Sequence, residues 1–178
     1  MIRTLFSVVL NLLIISVMFS CTGNSNKEKG RESDLKLLEE SLLKANKQAV
    51  SAENEQIESF IKRYNWQMTE TGSGLRYNIY FAGNGEKAQT GKIAVLKYST
   101  RLITGDIIYS SEKDGLKEFM IGRGGVESGL EEGILLLRVG DRAKFIIPSH
   151  LGFGLLGDQD KVPPKSTLIY DIELVSLN

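Results

Sequence analysis

Val126-Glu127-Ser128-Gly129-Leu130-Glu131-Glu132-Gly133 opens the stretch on which the fold turns; Val139-Gly140-Asp141-Arg142-Ala143, Gly152-Phe153-Gly154, Val162-Pro163-Pro164 and Thr167-Leu168-Ile169-Tyr170-Asp171-Ile172-Glu173-Leu174 complete it. Gly129 to Leu137 reads as a short helix carrying Leu130, Ile134 and Leu137 on one face. Glu131 and Glu132 then fall in its first turn, where negative charge suits the positive end of the helix dipole. That reading is preferred to an acid/base pair. Arg142 to Pro148 and Thr167 to Leu177 read as strands.

Working outward, the same short-strand pattern extends toward the N-terminus. Leu75 to Phe81 alternates, placing Leu75, Tyr77, Ile79 and Phe81 on one face. Gly83-Asn84-Gly85 is a turn. Ile93 to Leu102 is a strand, Thr104-Gly105-Asp106 turns it back, and Ile107 to Ser110 and Glu118 to Ile121 are shorter strands. Gly122-Arg123-Gly124-Gly125 is glycine-rich, but no Lys-Ser/Thr pair follows, so a turn is expected rather than a phosphate cradle. Many antiparallel strands with one short helix define an α+β domain. No internal repeat is present.

Thr71-Gly72-Ser73-Gly74 marks the change from helical to strand period. Before it, Leu35, Leu38, Leu42, Ala45, Ala49 and Ala52 recur at spacings of three and four, and Ile57, Phe60, Ile61 and Tyr64 continue with a one-residue phase shift. Ser33 and Asp34 supply capping side chains. A helical arm over residues 34–68 is predicted, with a break possible near Ser51, ahead of a domain over 69–178. One amphipathic helix cannot bury its own stripe. It must pack on the C-terminal domain or on a second copy of itself, giving a homodimer.

Residues 22–33 are polar, the composition of a solvated, disordered tether. Ahead of them, Arg3 precedes an apolar run from Leu5 to Phe19, broken only by Ser7, Asn11 and Ser16. The run is too short to span a bilayer comfortably, which takes about 20 residues. It reads as a secretory signal over residues 1–20. Cys21, the single cysteine, stands at the expected cut, and Val17-Met18-Phe19-Ser20-Cys21 resembles a bacterial lipobox. The expectation is a lipidated Cys21 followed by a tether over 21–33. The alternatives are an ordinary signal cut nearby or an uncleaved anchor. Thr22, where the usual inner-membrane sorting pattern has Asp, points to the outer membrane on its periplasmic side.

Composition narrows the function. Apolar residues make up 42% and charged residues 25%, an ordinary globular balance. Lys plus Arg equals Asp plus Glu at 22 each, so no basic footprint for nucleic acid exists. A single cysteine forms no internal disulfide. His150 reads as a surface-loop residue, and no ligand cluster stands at metal spacing.

The ordered series quoted at the outset, from Leu75 to Asn178, resembles the FKBP family of peptidyl-prolyl cis-trans isomerases. The resemblance implies an antiparallel, twisted half-barrel sheet around one short helix, here preceded by a long N-terminal helix. It implies proline-containing polypeptide clients and no cofactor. By the same resemblance Tyr98, Val126, Glu127, Leu130, Phe153, Val162 and Tyr170 line the substrate pocket, with the Glu127 backbone N–H meeting the substrate carbonyl. Ile108 and Tyr109 occupy the family's Phe-Asp pair. Leu130 stands in place of a tryptophan floor, Phe153 in place of a tyrosine, and Glu127 in place of an apolar residue. Asp158 and Lys161 replace bulky loop residues. Taken alone, Tyr98, Val126, Leu130 and Tyr170 read as core residues; only their joint placement suggests a pocket. Two functions follow. One is an exported, lipid-anchored isomerase assisting envelope-protein folding. The other is a catalytically weak FKBP-like chaperone or scaffold lipoprotein, similar to the isomerase-like lipoproteins of gliding motility.

Overall fold

The computed structural model describes Ser25–Asn178. The expected signal, the lipidated Cys21 and the first residues of the tether lie outside that range. Helix α1 spans Ser25–Tyr64. It begins nine residues before the expected start, within the segment assigned to a tether. The physical reason is local: Lys27, Glu28, Lys29, Arg31 and Glu32 are good helix formers despite their polarity. The helix ends at Asn65, whose φ of 50° breaks the helical path. Among the described residues no helix is long and apolar enough to cross a membrane.

After α1 come β1 (Thr69–Glu70), β2 (Arg76–Phe81), β3 (Ile93–Leu102), β4 (Ile107–Ser110), a one-turn helix α2 (Ser111–Asp114), β5 (Lys117–Met120), α3 (Ser128–Ile134), β6 (Arg142–Ile147), a 3₁₀ turn (Ser149–Leu151) and β7 (Leu168–Leu177). The strands form one antiparallel sheet in the order β1-β2-β6-β7-β3-β4. β3 is ten residues long, and its far edge is shared: β5 pairs with Ile93–Leu96 and β4 with Ser99–Arg101. The short connection carrying α2 joins those two half-strands. Its single turn was not legible in a polar Ser-Glu-Lys-Asp run.

Alternation along β6 and β7 divides the apolar residues between two faces. On the inner face Phe145, Ile147, Leu168, Tyr170, Ile172 and Leu174 pack with Leu130, Ile134 and Leu137. The glycines of α3 permit that approach. A Cβ at Gly133 would sit 2.5 Å from the Phe145 ring, and one at Gly129 2.6 Å from Ile147. On the outer face Ile146 and Ile169 meet Ile57 and Phe60 of α1.

The outer contact moves the expected domain boundary. Two compact units divide at Ala49–Val50, not at Thr69. The second unit, Val50–Asn178, includes the last four turns of α1. Arg76, 3% exposed, donates to Asn54 Oδ1 and Glu58 Oε1 at 3.1 and 3.2 Å and pairs with Glu70 at 3.2 Å. Glu53 accepts from the Ser149 N–H, the Ser149 hydroxyl and the Thr167 hydroxyl at 2.7–2.9 Å. In the first unit Leu35, Leu38 and Leu42 are each more than half exposed.

Leu75, Tyr77 and Ile79 share a face as expected, but Phe81 does not: it pairs with Arg142 and lies on the outer face, with the Arg142 guanidinium over its ring. Leu75 is fully buried while Phe81 is 56% exposed. The pairing to β6 shifts register between Ile79 and Phe81, which carries the end of the strand off the core.

Candidate functional site

Tyr170 sits where three strands meet, opposite Phe145 of β6 and Thr100 of β3. Its inward position follows from the period of β7, and its ring is 2% exposed. The ring centroid of Tyr98 lies 6.5 Å away, tilted by 34°. The two rings form one wall of a cavity of about 410 Å³. Tyr109 at the end of β4 and Phe153 on the loop after β6 close it from other sides.

Polar groups on this wall are paired unexpectedly. The Tyr170 hydroxyl donates to Glu127 Oε1 at 2.7 Å. Burial first, and the neighbouring Glu127 carboxylate second, push the Tyr170 hydroxyl well above its ordinary range. Glu127 is only 8% exposed, at the N-cap position of α3. Its second oxygen, Oε2, is buried and accepts from nothing among the described residues. The Tyr109 hydroxyl donates to Asp158 Oδ2. Burial, then this bond, raises Tyr109. Burial pushes Asp158 upward, but donation from Tyr109 and from loop N–H groups outweighs it, and the net shift is downward. Asp158 Oδ1 accepts from the N–H groups of Asp160 and Val162 at 2.9 and 2.7 Å, so this carboxylate also shapes its own loop.

Of the nine residues expected at the site, Tyr98, Tyr109, Glu127, Phe153 and Tyr170 line this cavity. Val126 lines an adjoining cavity of about 310 Å³ that shares Lys117, Glu127 and Phe153 with the first. Leu130 and Val162 are buried at 0% and 4% exposure, and act as packing beneath and beside the wall rather than as exposed lining. Ile108 is half-buried and packs on the core. Asp114 and Lys117 reach the cavity without having been singled out. Asp114 accepts from the Ser110 N–H at 2.9 Å and thereby holds the start of α2, a role invisible without that helix. Lys117 Nζ lies 5.7 Å from the Tyr98 ring centroid, and Lys161 Nζ 4.6 Å from that of Tyr109.

Other residues weighed in the sequence find structural roles. Glu131 Oε1 accepts from the Gly122 and Gly124 N–H groups at 3.2 and 2.9 Å, so it pins the glycine-rich turn beside the site. His150 is exposed, with Nε2 3.0 Å from the Ser73 carbonyl. Among the described residues no group of His, Cys, Asp or Glu gathers where it could hold a metal ion.

The model for the FKBP-type peptidyl-prolyl cis-trans isomerase family matches residues 84–175, which contain every residue of this wall. The chain is 34% identical over 157 residues to the probable FKBP-type isomerase FkpA of Neisseria meningitidis, covering 85% of this chain and 57% of that protein. It is 41% identical over 93 residues to FK506-binding protein 2 of Dictyostelium discoideum, covering 52% of this chain and 70% of that one. The crystal structure of AtFKBP13 superposes with a TM-score of 0.61 at 29% identity, over 64% of this chain and all of the other. FkpA from Escherichia coli, at 24% identity, shares the fold with a TM-score of 0.64, over 97% of this chain and 81% of that one. The family model covers more than half of the sequence and the relatives agree with it: this chain belongs to the FKBP-type peptidyl-prolyl cis-trans isomerase family.

Proposed function

We propose that the chain catalyses cis-trans isomerisation of Xaa-Pro bonds in proline-containing clients. The observation that carries this is the cavity walled by Tyr98, Tyr109, Phe153 and Tyr170. Rotation about an Xaa-Pro bond is slowed by amide resonance, whose barrier is about 18–20 kcal/mol. The twisted amide has lost that conjugation, and its carbonyl is less polar. A wall that excludes water favours it over the planar forms. Four rings supply such a wall, and Glu127, which lines the same cavity, would offer its backbone N–H to a substrate carbonyl. No covalent bond is made or broken, so no nucleophile is required. A protease-coupled isomerisation assay on the purified chain tests the proposal. Turnover above the uncatalysed rate supports it; absence of turnover overturns it.

The second reading is a binding module with weak turnover, acting as chaperone or scaffold. The specific observation favouring it is polarity. The Tyr170–Glu127 and Tyr109–Asp158 pairs place two carboxylates in a wall whose chemistry profits from being apolar. Peptide binding without measurable turnover in the same assay selects this reading.

The proposal extends to place and partner. The lipobox-like Ser20-Cys21 suggests an exported protein anchored by lipid on the periplasmic side of the outer membrane, serving envelope proteins as they fold. Replacement Cys21→Ser should then move the protein from the membrane to the soluble fraction. The leucine stripe of the first half of α1 suggests a homodimer. Sedimentation of the full chain tests it against Leu38→Lys/Leu42→Lys, which should be monomeric.

A further inference from the structure

Glu127 stands in the partition between two adjoining cavities. Both the 410 Å³ and the 310 Å³ space are lined by Lys117, Glu127 and Phe153, so together they form a groove rather than an isolated pit. One end is ringed by tyrosines. The other is bordered by Gly124, Gly125 and Val126, and offers room for a flanking residue.

Carboxylates predominate along this groove. Asp114, Glu127 and Asp158 line the larger cavity against the single ammonium of Lys117. Among the described residues none of the three is in an ion pair. Asp158 is occupied on both oxygens by Tyr109 and by its own loop. Glu127 differs. Its Oε1 takes the Tyr170 hydroxyl, while Oε2 is buried and unpartnered in a side chain more than nine-tenths buried. A buried carboxylate oxygen without a donor is destabilising. A ligand that brings a donor relieves that cost, and a cationic donor does so most strongly.

We propose that Glu127 is a specificity-determining residue that selects clients with a basic side chain beside the proline. This rests on the proline-isomerase reading above and names the substrate class within it. The proline enters the ring-walled cavity, and the neighbouring Lys or Arg reaches along the groove to the Glu127 side chain, whose carboxylate turns to bring the buried Oε2 to the cation. Asp114 adds a second, more exposed negative charge at the rim. Norleucine has nearly the shape of lysine without its charge, so it isolates the electrostatic contribution.

The test uses the full chain and two peptide sets, with Lys, norleucine or Glu immediately before the proline in one and immediately after it in the other. Isomerisation kcat/KM and binding of fluorescently labelled peptides by anisotropy are both measured. In at least one set the expected order is Lys, then norleucine, then Glu, with Lys favoured over norleucine by about fivefold, the value of one partly solvated charge pair. Glu127→Gln keeps an acceptor for Tyr170 and should collapse the Lys preference. Lys117→Met removes the competing cation and should raise it. Equal values for Lys and norleucine in both sets overturn the proposal, as does a preference untouched by a folded Glu127→Gln. Should Glu127→Gln not fold, the parent series and Lys117→Met still decide. Turnover without a charge preference sinks only this inference. No turnover on any peptide sinks the isomerase reading, and anisotropy then still reports whether Lys is preferred.

Discussion

The two faces of the sheet bury apolar residues for different ends, the inner face carrying the main core and the outer face a small satellite cluster. The inner face packs its own short helix and leaves a cavity beside Tyr170. The outer face packs the end of α1, through Ile57 and Phe60 on Ile146 and Ile169, and Arg76 is buried alongside them. Adjacent residues divide between the faces: Phe145 and Ile147 point in, Ile146 points out; Leu168 and Tyr170 point in, Ile169 points out. The same strands therefore build the site and hold the helix. A change on one face should be read on the other only through loss of the whole fold.

The largest break in this comparison is truncation. A chain starting at Thr69 loses Ile57 and Phe60, each worth about 1.5–3 kcal/mol when buried. It also leaves Arg76 without Asn54 and Glu58. That chain is expected to melt at much lower temperature or without a cooperative transition, whereas one starting at Val50 should retain the melting behaviour of the full chain. Equal melting of the two would show that the outer face is dispensable.

Tyr170→Ala attacks the inner face at its centre and should cost about 3–5 kcal/mol in denaturant unfolding. It should also lower turnover, but the two effects are entangled there. Gly133→Ala is a milder probe of the same face. Its new methyl meets the Phe145 ring, and overpacking of this kind costs about 1–3 kcal/mol. The equivalent solvent-side change, Gly124→Ala, meets nothing within 4 Å, though its φ of 70° adds backbone strain, so its cost should differ in origin and fall below that of Gly133→Ala.

Phe153→Ala separates site from core. Phe153 lies on a loop and is half-buried, so melting should shift little while kcat/KM falls about tenfold, equivalent to about 1.4 kcal/mol of transition-state stabilisation. Unchanged turnover in an active parent would remove this ring from the site.

The smallest effect is in alkali. The Tyr170 pKa is raised by burial and by Glu127, so the folded state holds this proton more tightly than the unfolded chain does. Its contribution to stability is complete below about pH 10, the unfolded value, and declines as pH rises toward the folded one. Tyr170→Phe should flatten that decline in alkaline unfolding titrations, and an identical slope would contradict the assignment. Tyr80, raised to about 12 by burial and by Asp171, adds an outer-face component that the substitution leaves in place.

Sequence determined the inner face. The period of two in Thr167–Leu174, the three-and-four spacing of Leu130, Ile134 and Leu137, and the glycines between them suffice to orient these elements. Hydrophobic alternation has no other compact solution for them. The aromatic lining at Tyr98, Tyr109, Phe153 and Tyr170 was legible from the resemblance that those motifs carry. What only tertiary structure decided lies in contacts between residues far apart in the chain. Arg76 occupies a position that reads as solvent-facing, and it is buried because α1 covers it. Ile57 is buried against the sheet and Leu38 is exposed, because periodicity states which face is apolar and not what covers it. Glu127 and Asp158 became partners of Tyr170 and Tyr109 across separations of 43 and 49 residues. A hydrogen bond of that span leaves no periodic trace, since only the folded path of the chain brings its donor and acceptor together.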